Sequence, residues 1–192
     1  MQQLIFATNN GHKLKEVAAK IGEKIKLYSL DDIGCYDDIA ETGVTFHENA
    51  SIKSHFVHNK YKLNCFGDDS GLEIDALNGE PGVYSARYSG VPGDHTANIK
   101  KVLRRLGDTT HRRARFRTVI SLIWDNEEQF FEGVVEGNIR HEPAGTGGFG
   151  YDPIFQPEGY DITFGEMSLH EKNAISHRAK AIDQLMAFLN QI

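Results

Sequence analysis

The chain has little with which to staple itself together and little with which to hold a polyanion. Two cysteines in 192 residues, Cys35 and Cys65, make no disulfide framework. They fit a reducing compartment, where free cysteine packs as a small apolar residue. Lys and Arg number 21 against 27 Asp and Glu, for a formal net charge of −6 at pH 7. That shortage of positive charge argues against a nucleic-acid binder, whose phosphate contacts need Lys and Arg. A phosphorylated ligand then needs a locally basic pocket or a metal ion. No apolar run approaches the roughly 20 residues that span a bilayer. The opening Met1-Gln2-Gln3-Leu4-Ile5-Phe6 lacks the basic region and apolar stretch of a signal peptide. These absences predict a cytoplasmic protein with no nucleic-acid or membrane partner.

What is present is ordinary for a globular chain. Hydrophobic residues make up 40% and charged residues 25%, enough for one domain with its own core over residues 1–192. Leu4-Ile5-Phe6-Ala7-Thr8 predicts a buried strand. Asn9 or Asn10 then caps a helix whose apolar face is Leu14, Val17, Ala18 and Ile21, with Gly22 closing it. Lys24 to Tyr28 alternates as a second strand, and residues 31–45 are irregular and acidic. Thr45 with Glu48 resembles a capping box for a helix from about Phe46 to Tyr61, with Lys53 at the edge of its buried face. Leu72 to Leu77 reads as a strand and Asn78 to Gly93 as a Gly/Pro-rich loop, followed by a helix ending near Leu106-Gly107. Through residues 113–124, Ala114, Phe116, Thr118, Ile120, Leu122 and Trp124 share one face; Asp125-Asn126 turns the chain, and Phe130 to Val135 returns it as a hairpin. A final helix, roughly Glu171 to Asn190, carries Lys172, Ser176, His177 and Arg178 near its start. The mixture predicts an α/β domain with a mixed sheet.

Four segments carry chemistry. In Thr8-Asn9-Asn10-Gly11-His12-Lys13 a strand feeds a helix, whose N-terminal N–H groups and dipole favour anions. Asn9 and Asn10 add amide donors, and the Lys13 side chain points back toward that end. Taken alone, an ordinary Asn cap beside a solvated lysine is the simpler account, and the Walker spacing is missing. Glu41 and Asp68-Asp69-Ser70-Gly71 are acidic. Consecutive aspartates after an apolar run are expected at a strand end, with side chains on opposite faces, so that only one meets a ligand. Glu41 with Asp69 suits a hard cation such as Mg2+, and a solvated acidic turn competes for either segment alone. Gly145-Thr146-Gly147-Gly148-Phe149-Gly150 spells G-x-G-x-x-G, but Tyr151-Asp152-Pro153 follows where a dinucleotide site needs a helix. A loop bringing Phe149 over a ligand ring fits better, against a Phe packed in the core. His177 and Arg178 are adjacent on a helix and cannot share one face, yet both could flank a ligand. The run Arg112 to Arg117 alternates on a strand, and His55 with His58 lacks further ligands for a metal site.

Together these segments resemble the inosine triphosphate pyrophosphatase family, the dITP/XTP pyrophosphatases. The matching pieces are Thr8-Asn9-Asn10 with Lys13 and Glu16, Glu41, Asn49 with Lys53, Asp68-Asp69-Ser70-Gly71-Leu72, Gly82 with Ser85-Ala86-Arg87, Phe149-Gly150-Tyr151-Asp152-Pro153, Lys172 and Ser176-His177-Arg178. The ordered set spans nearly the whole chain. Tyr151 stands where some members carry Trp, and Gly11-His12 is a variable part of its loop.

The resemblance implies two lobes around a long mixed sheet with a central substrate cleft, a homodimer, and dependence on Mg2+. It implies hydrolysis of deaminated purine nucleoside triphosphates (ITP, dITP, XTP) to the monophosphate and pyrophosphate, which clears the nucleotide pool. It makes Glu41 and Asp69 the metal ligands, and Asp69 also the proton acceptor, with Lys53 catalytic beside it. Thr8, Asn9, Asn10, Lys13, Ser70, Phe149, Gly150, Tyr151, Asp152, Lys172, His177 and Arg178 become substrate-binding residues. Phe149 stacks on the base, and His177 or Arg178 donates to its six-position oxygen. The competing readings are a related pyrophosphatase for modified pyrimidine triphosphates, a nucleotide sensor that binds without hydrolysis, and a nucleic-acid module using Arg112 to Arg117.

Overall fold

The computed structural model describes residues 2–21 and 25–191. The expected helix stop at Gly22 and strand start at Lys24 lie outside the described residues. The strands are β1 (Gln2–Phe6), β2 (Ile25–Tyr28), β3 (Cys65–Ile74), β4 (Arg113–Trp124), β5 (Glu127–Ile139) and β6 (Phe155–Pro157). They hydrogen-bond in the order β2-β1-β3-β4-β5-β6. β1 is parallel to β2 and to β3, with Ile5 opposite Cys65 and Phe6 opposite Phe66; β5 and β6 are antiparallel. The sheet is therefore mixed, as expected. Among the described residues five helices accompany it: α1 (Gly11–Ile21), α2 (Phe46–Tyr61), α3 (His95–Leu106), α4 (Leu169–Ile175) and α5 (His177–Leu189).

The chain forms two compact units from interleaved segments: Met1–Asp69, Thr118–Gly133 and Arg178–Ile192 make one; Ser70–Arg117 and Val134–His177 make the other. In the first, Leu4, Phe6, Val17, Phe66, Ile120 and Leu185 anchor a core in which the Phe6 and Phe66 rings stack 4.4 Å apart. A second cluster there holds Ile5, Val57, Ile123 and the two free cysteines. In the other unit, Phe116 packs against Phe155 and Phe164, with Leu72, Val102 and Ile154 in the same core.

Local signals explain several elements. Asn10 caps α1: its Oδ1 accepts the His12 and Lys13 N–H groups, and its carbonyl accepts the Leu14 N–H. The Thr45–Glu48 capping box opens α2 at Phe46 as expected, and the helix ends at Tyr61 with Lys62 left-handed behind it. Asp125 and Asn126 both have positive φ, the backbone of a two-residue hairpin turn. α3 ends at Leu106 with Gly107 following, also as expected.

Several expectations need correction. The Asp68-Asp69 pair does not mark a strand end, because β3 runs through it for ten residues to Ile74, and residues 75–77 are a 3-10 turn rather than strand. Cations placed against the carboxylates let the strand continue. The single helix expected over Glu171–Asn190 is two helices, α4 and α5. Ser176 between them is extended at φ −66°, ψ 156°, and a second capping box, Ser168–Glu171, opens α4 earlier than expected. Ala18 is exposed rather than part of the α1 core face. β4 alternates only to Arg117; from Thr118 to Ile123 both its faces are buried, so one-sided amphipathicity ends halfway. β5 also extends beyond the expected Phe130 to Val135 at both ends.

A close contact fixes β3 against α2. A Cβ on Gly67 would lie 2.5 Å from the Ala50 carbonyl oxygen and 2.8 Å from the Lys53 Cβ. Gly67→Ala should destabilise the protein by about 1–3 kcal/mol through overpacking, read as a lower urea midpoint with an unchanged slope.

Candidate active site

In the first unit, three elements aim cations at the middle of β3. Lys13, in the first turn of α1, donates to Asp68 Oδ1 at 2.8 Å. Arg178, at the start of α5, lies 3.6 Å from Asp68 Oδ2 through Nε and also pairs with Glu16 of α1. Lys53, on α2, donates to Glu41 Oε1 at 2.7 Å. Asn49, one turn before Lys53 on the same helix face, donates from Nδ2 to Asp69 Oδ2 at 2.9 Å. Asp68, Asp69, Glu16, Asn49, Lys53 and Arg178 are all buried, whereas Glu41 is half-buried.

The two neighbouring aspartates titrate in opposite directions. Burial alone would raise the Asp68 carboxyl, but Lys13, Arg178 and Lys53 together hold it far below the ordinary carboxylate range. Burial raises the Asp69 carboxyl, and there it prevails: Lys53 and Lys13 pull down, the Glu41 charge pushes up, and the Asn49 hydrogen bond pulls down. Burial lowers Lys13 more than Asp68 raises it. Lys53 goes the other way, since Asp68, Glu41 and Asp69 outweigh its burial. Asp68 is thus a fixed anion, and Asp69 a carboxylate with the greater affinity for a proton.

The α1 N-terminus is less open to an anion than expected. Asn10 already accepts two of its N–H groups, and Lys13 reaches across to Asp68. Asn9 and Asn10 remain exposed, and Thr8 Oγ1 accepts the Asn10 N–H.

In the second unit, the loop over residues 145–150 folds around one carboxylate. Asp152 Oδ2 accepts the Phe149 N–H at 2.8 Å and the Lys172 ammonium at 2.6 Å. Gly148 makes this possible: its φ is +70°, and a Cβ there would sit 2.0 Å from Asp152 Oδ2. The Lys172 Nζ also lies 4.9 Å from the centroid of the half-buried Phe149 ring, a cation–π contact. The His177 ring stacks on Phe116 at 4.7 Å with an interplanar angle of 10°. Gly150 has a φ of +63° and is half-buried, like Ser70. Tyr151 is buried, and its hydroxyl donates to the Ser85 carbonyl at 2.8 Å, so its polar end is engaged inside this unit.

The basic run does not offer a strip of phosphate contacts. Arg112 is buried and donates to the carbonyls of Ile139, Gly107 and Arg140; Arg115 pairs with Glu136 and Asp75, and Arg117 with Glu73. His55 meets Glu128, and His58 meets Asn126 and the Leu63 carbonyl. Glu16, Asn49 and Asp68 received no role of their own from the sequence. Glu16 falls on the buried side of an amphipathic helix, where an acidic residue signals a partner, and Asn49 sits four residues before Lys53 in the same way.

Removing the Asp68 charge should be costly. Asp68→Asn leaves Lys13 and Arg178 facing a neutral group, an expected loss of about 3–5 kcal/mol at neutral pH. Because the folded carboxyl lies below its unfolded value of about 3.9, its contribution is complete above that value and fades as pH falls. Denaturation series from pH 7 to pH 3 should show the wild-type advantage narrowing below about pH 4.

Known proteins share this sequence and fold. The Ham1 family model matches residues 4–188. The chain is 53% identical to a dITP/XTP pyrophosphatase of Porphyromonas gingivalis over 190 residues, covering 98% of each chain. It is 50% identical to one of Flavobacterium psychrophilum, covering 97% of this chain and 98% of the relative. Its fold matches a solved Ham1 protein of Staphylococcus aureus with a TM-score of 0.90 at 42% identity, covering 99% of both chains. On sequence and fold alike, the chain belongs to the Ham1 family.

Proposed function

We propose that the protein hydrolyses deaminated purine nucleoside triphosphates, ITP, dITP and XTP, to the monophosphate and pyrophosphate. The observation that carries this reading is the pair of adjacent buried carboxylates set among Lys13, Lys53 and Arg178, with the Lys53-held Glu41 beside them. Relatives at 50–53% identity bear the name dITP/XTP pyrophosphatase, which supports the substrate class.

The chemistry is attack of water on the α-phosphorus. The new bond is between the water oxygen and that phosphorus. The bond to the α–β bridging oxygen breaks, and its electron pair leaves with pyrophosphate. Asp69 takes the water proton, a role suited to a carboxylate whose pKa is raised by burial. Lys13 and Lys53 offset charge on the phosphates and on the departing pyrophosphate.

The residues present fit Mg2+. A hard cation of this size takes one or two carboxylates and completes its shell with substrate phosphates and water. Glu41 and Asp69 are two carboxylates close enough to repel each other, and among the described residues no cluster of three or more His, Cys, Asp or Glu forms an all-protein cage. Bound there, the ion would supply charge neutralisation and orientation of the triphosphate.

Base recognition falls to Phe149, Gly150, Asp152, Lys172 and His177 in this reading, while Arg178 stays with Glu16 and Asp68. Phe149 supplies an aromatic face, and the ammonium and imidazole groups supply donors for a six-position oxygen. Adenine carries an amino donor at that position and would leave a buried donor unpaired, which permits strong rejection. A homodimer and a cytoplasmic setting complete the proposal, on the resemblance alone. No helix among the described residues is long and apolar enough to cross a membrane.

Pyrophosphate release from a panel of nucleoside triphosphates, with and without Mg2+, tests the proposal. Metal-dependent turnover of ITP, dITP and XTP far above ATP is expected, and equal turnover of all, or binding without release, would overturn it. Asp69→Asn should nearly abolish turnover in a folded protein; substantial remaining activity would remove Asp69 from the role of base. His177→Ala should narrow the ITP-over-ATP preference, and an unchanged ratio would take His177 out of base reading.

A further inference from the structure

Asn49 has no charge and does not titrate, yet it is fully buried and bridges Asp69 to the loop that carries Glu41. Its Oδ1 accepts the Gly43 N–H at 2.8 Å, and its Nδ2 donates to Asp69 Oδ2 at 2.9 Å. The amide orientation is therefore fixed at both ends, since only oxygen can face the Gly43 donor and only nitrogen the Asp69 carboxylate. Gly43 lies two residues after Glu41 on the same loop.

Steric limits reinforce the arrangement. A Cβ on Gly43 would stand 2.6 Å from the Glu48 Cβ and 2.8 Å from Asn49 Oδ1, so the loop lies directly on the first turns of α2. On the β3 side, Gly67 allows the equally close approach to Ala50 and Lys53. One turn along, Lys53 grips Glu41. The same helix face therefore holds the Glu41 loop at two points, the Gly43 amide through Asn49 and the Glu41 carboxylate through Lys53, and Asn49 also holds Asp69.

We propose that Asn49 is a positioning residue that sets the separation of Glu41 and Asp69 and turns the second oxygen of Asp69 toward the ligand. This rests on the pyrophosphatase reading, because it takes Glu41 and Asp69 as the groups that meet metal and water. Groups that orient metal ligands typically matter about 10–100-fold for metal affinity or rate.

The test uses the full chain, with Mn2+ alone as a spectroscopic probe followed by electron paramagnetic resonance, and ITP hydrolysis at saturating Mg2+. Asn49→Ala should weaken Mn2+ binding to the substrate-free protein by about 10–100-fold and lower kcat to a similar degree, with KM for ITP little changed. Asn49→Asp keeps the acceptor for Gly43 and the side-chain shape but removes the donor to Asp69. It should lose kcat at least as far as the alanine variant and lower the Tm as well, because it sets a second buried carboxyl against Asp69. Wild-type kcat in Asn49→Asp, or wild-type Mn2+ affinity in a folded Asn49→Ala, would overturn the proposal and leave Asn49 as a loop anchor only. If the wild-type protein releases no pyrophosphate, or Asp69→Asn stays active, the failure belongs to the underlying pyrophosphatase reading instead.

Discussion

Two adjacent aspartates cannot stay ionised in the middle of a buried strand unless cations come to them. That requirement organises the first unit. Lys13 is brought by α1, Lys53 and Asn49 by α2 and Arg178 by α5, and each helix packs an apolar face while turning these polar groups toward the carboxylates. Glu16 then meets the second side of the Arg178 guanidinium, so the cation is itself surrounded. Such clusters are poor net stabilisers compared with apolar packing, but losing one member leaves an uncompensated buried charge. The helices are thus tied to β3 by charge as well as by the hydrophobic core.

Much of this was legible in the sequence where the signal is local. The Thr45–Glu48 box, the Asp125-Asn126 turn, the Asn10 cap and the close of α3 at Leu106-Gly107 each depend on a few neighbouring residues, and each stands where expected. The Asp68-Asp69 and β4 misreadings share one cause, which is a distant partner overriding a local rule. Asp68-Asp69 resembles a solvated strand end only while Lys13 and Arg178, 55 and 110 residues away along the chain, are left out. Ser176 in a long amphipathic stretch does not announce a break until α4 is seen to have its own capping box at Ser168. In the second half of β4 the period-two pattern vanishes because both faces are covered, so periodicity gives no sign of which side packs where.

The site divides along similar lines. Residue types that chemistry demands, carboxylates beside lysines and an aromatic ring beside a lysine, could be named in advance as candidates. Their internal geometry could not. That Asp152 is the hub of the second-unit loop follows from Gly148, whose missing side chain is filled by a carboxylate oxygen, and nothing in the G-x-G-x-x-G spelling distinguishes that use of glycine from a phosphate cradle. That Arg112 is a clamp on backbone carbonyls, while Arg115 and Arg117 face acids on one side of the strand, likewise needs the neighbouring loops in place.

The divergence of Asp68 and Asp69 also explains why a reactive carboxylate can be tolerated there. A group whose folded pKa is raised contributes stability only while protonated, and that contribution is lost as pH rises through its folded value, so ionised Asp69 works against folding near neutrality. Asp68 has the opposite sign: its contribution is complete above the ordinary carboxylate value, in the same neutral range where Asp69 is unfavourable. The same lysines serve both, since Lys13 and Lys53 lower each carboxyl, but Arg178 acts on Asp68 and the Glu41 charge acts on Asp69. One strand position is therefore held as a permanent anion that secures the helices, and the next is left able to take a proton. The two side chains are identical, so their roles are divided by what surrounds them: the Arg178 guanidinium suppresses proton affinity at Asp68, while burial and the Glu41 charge raise it at Asp69.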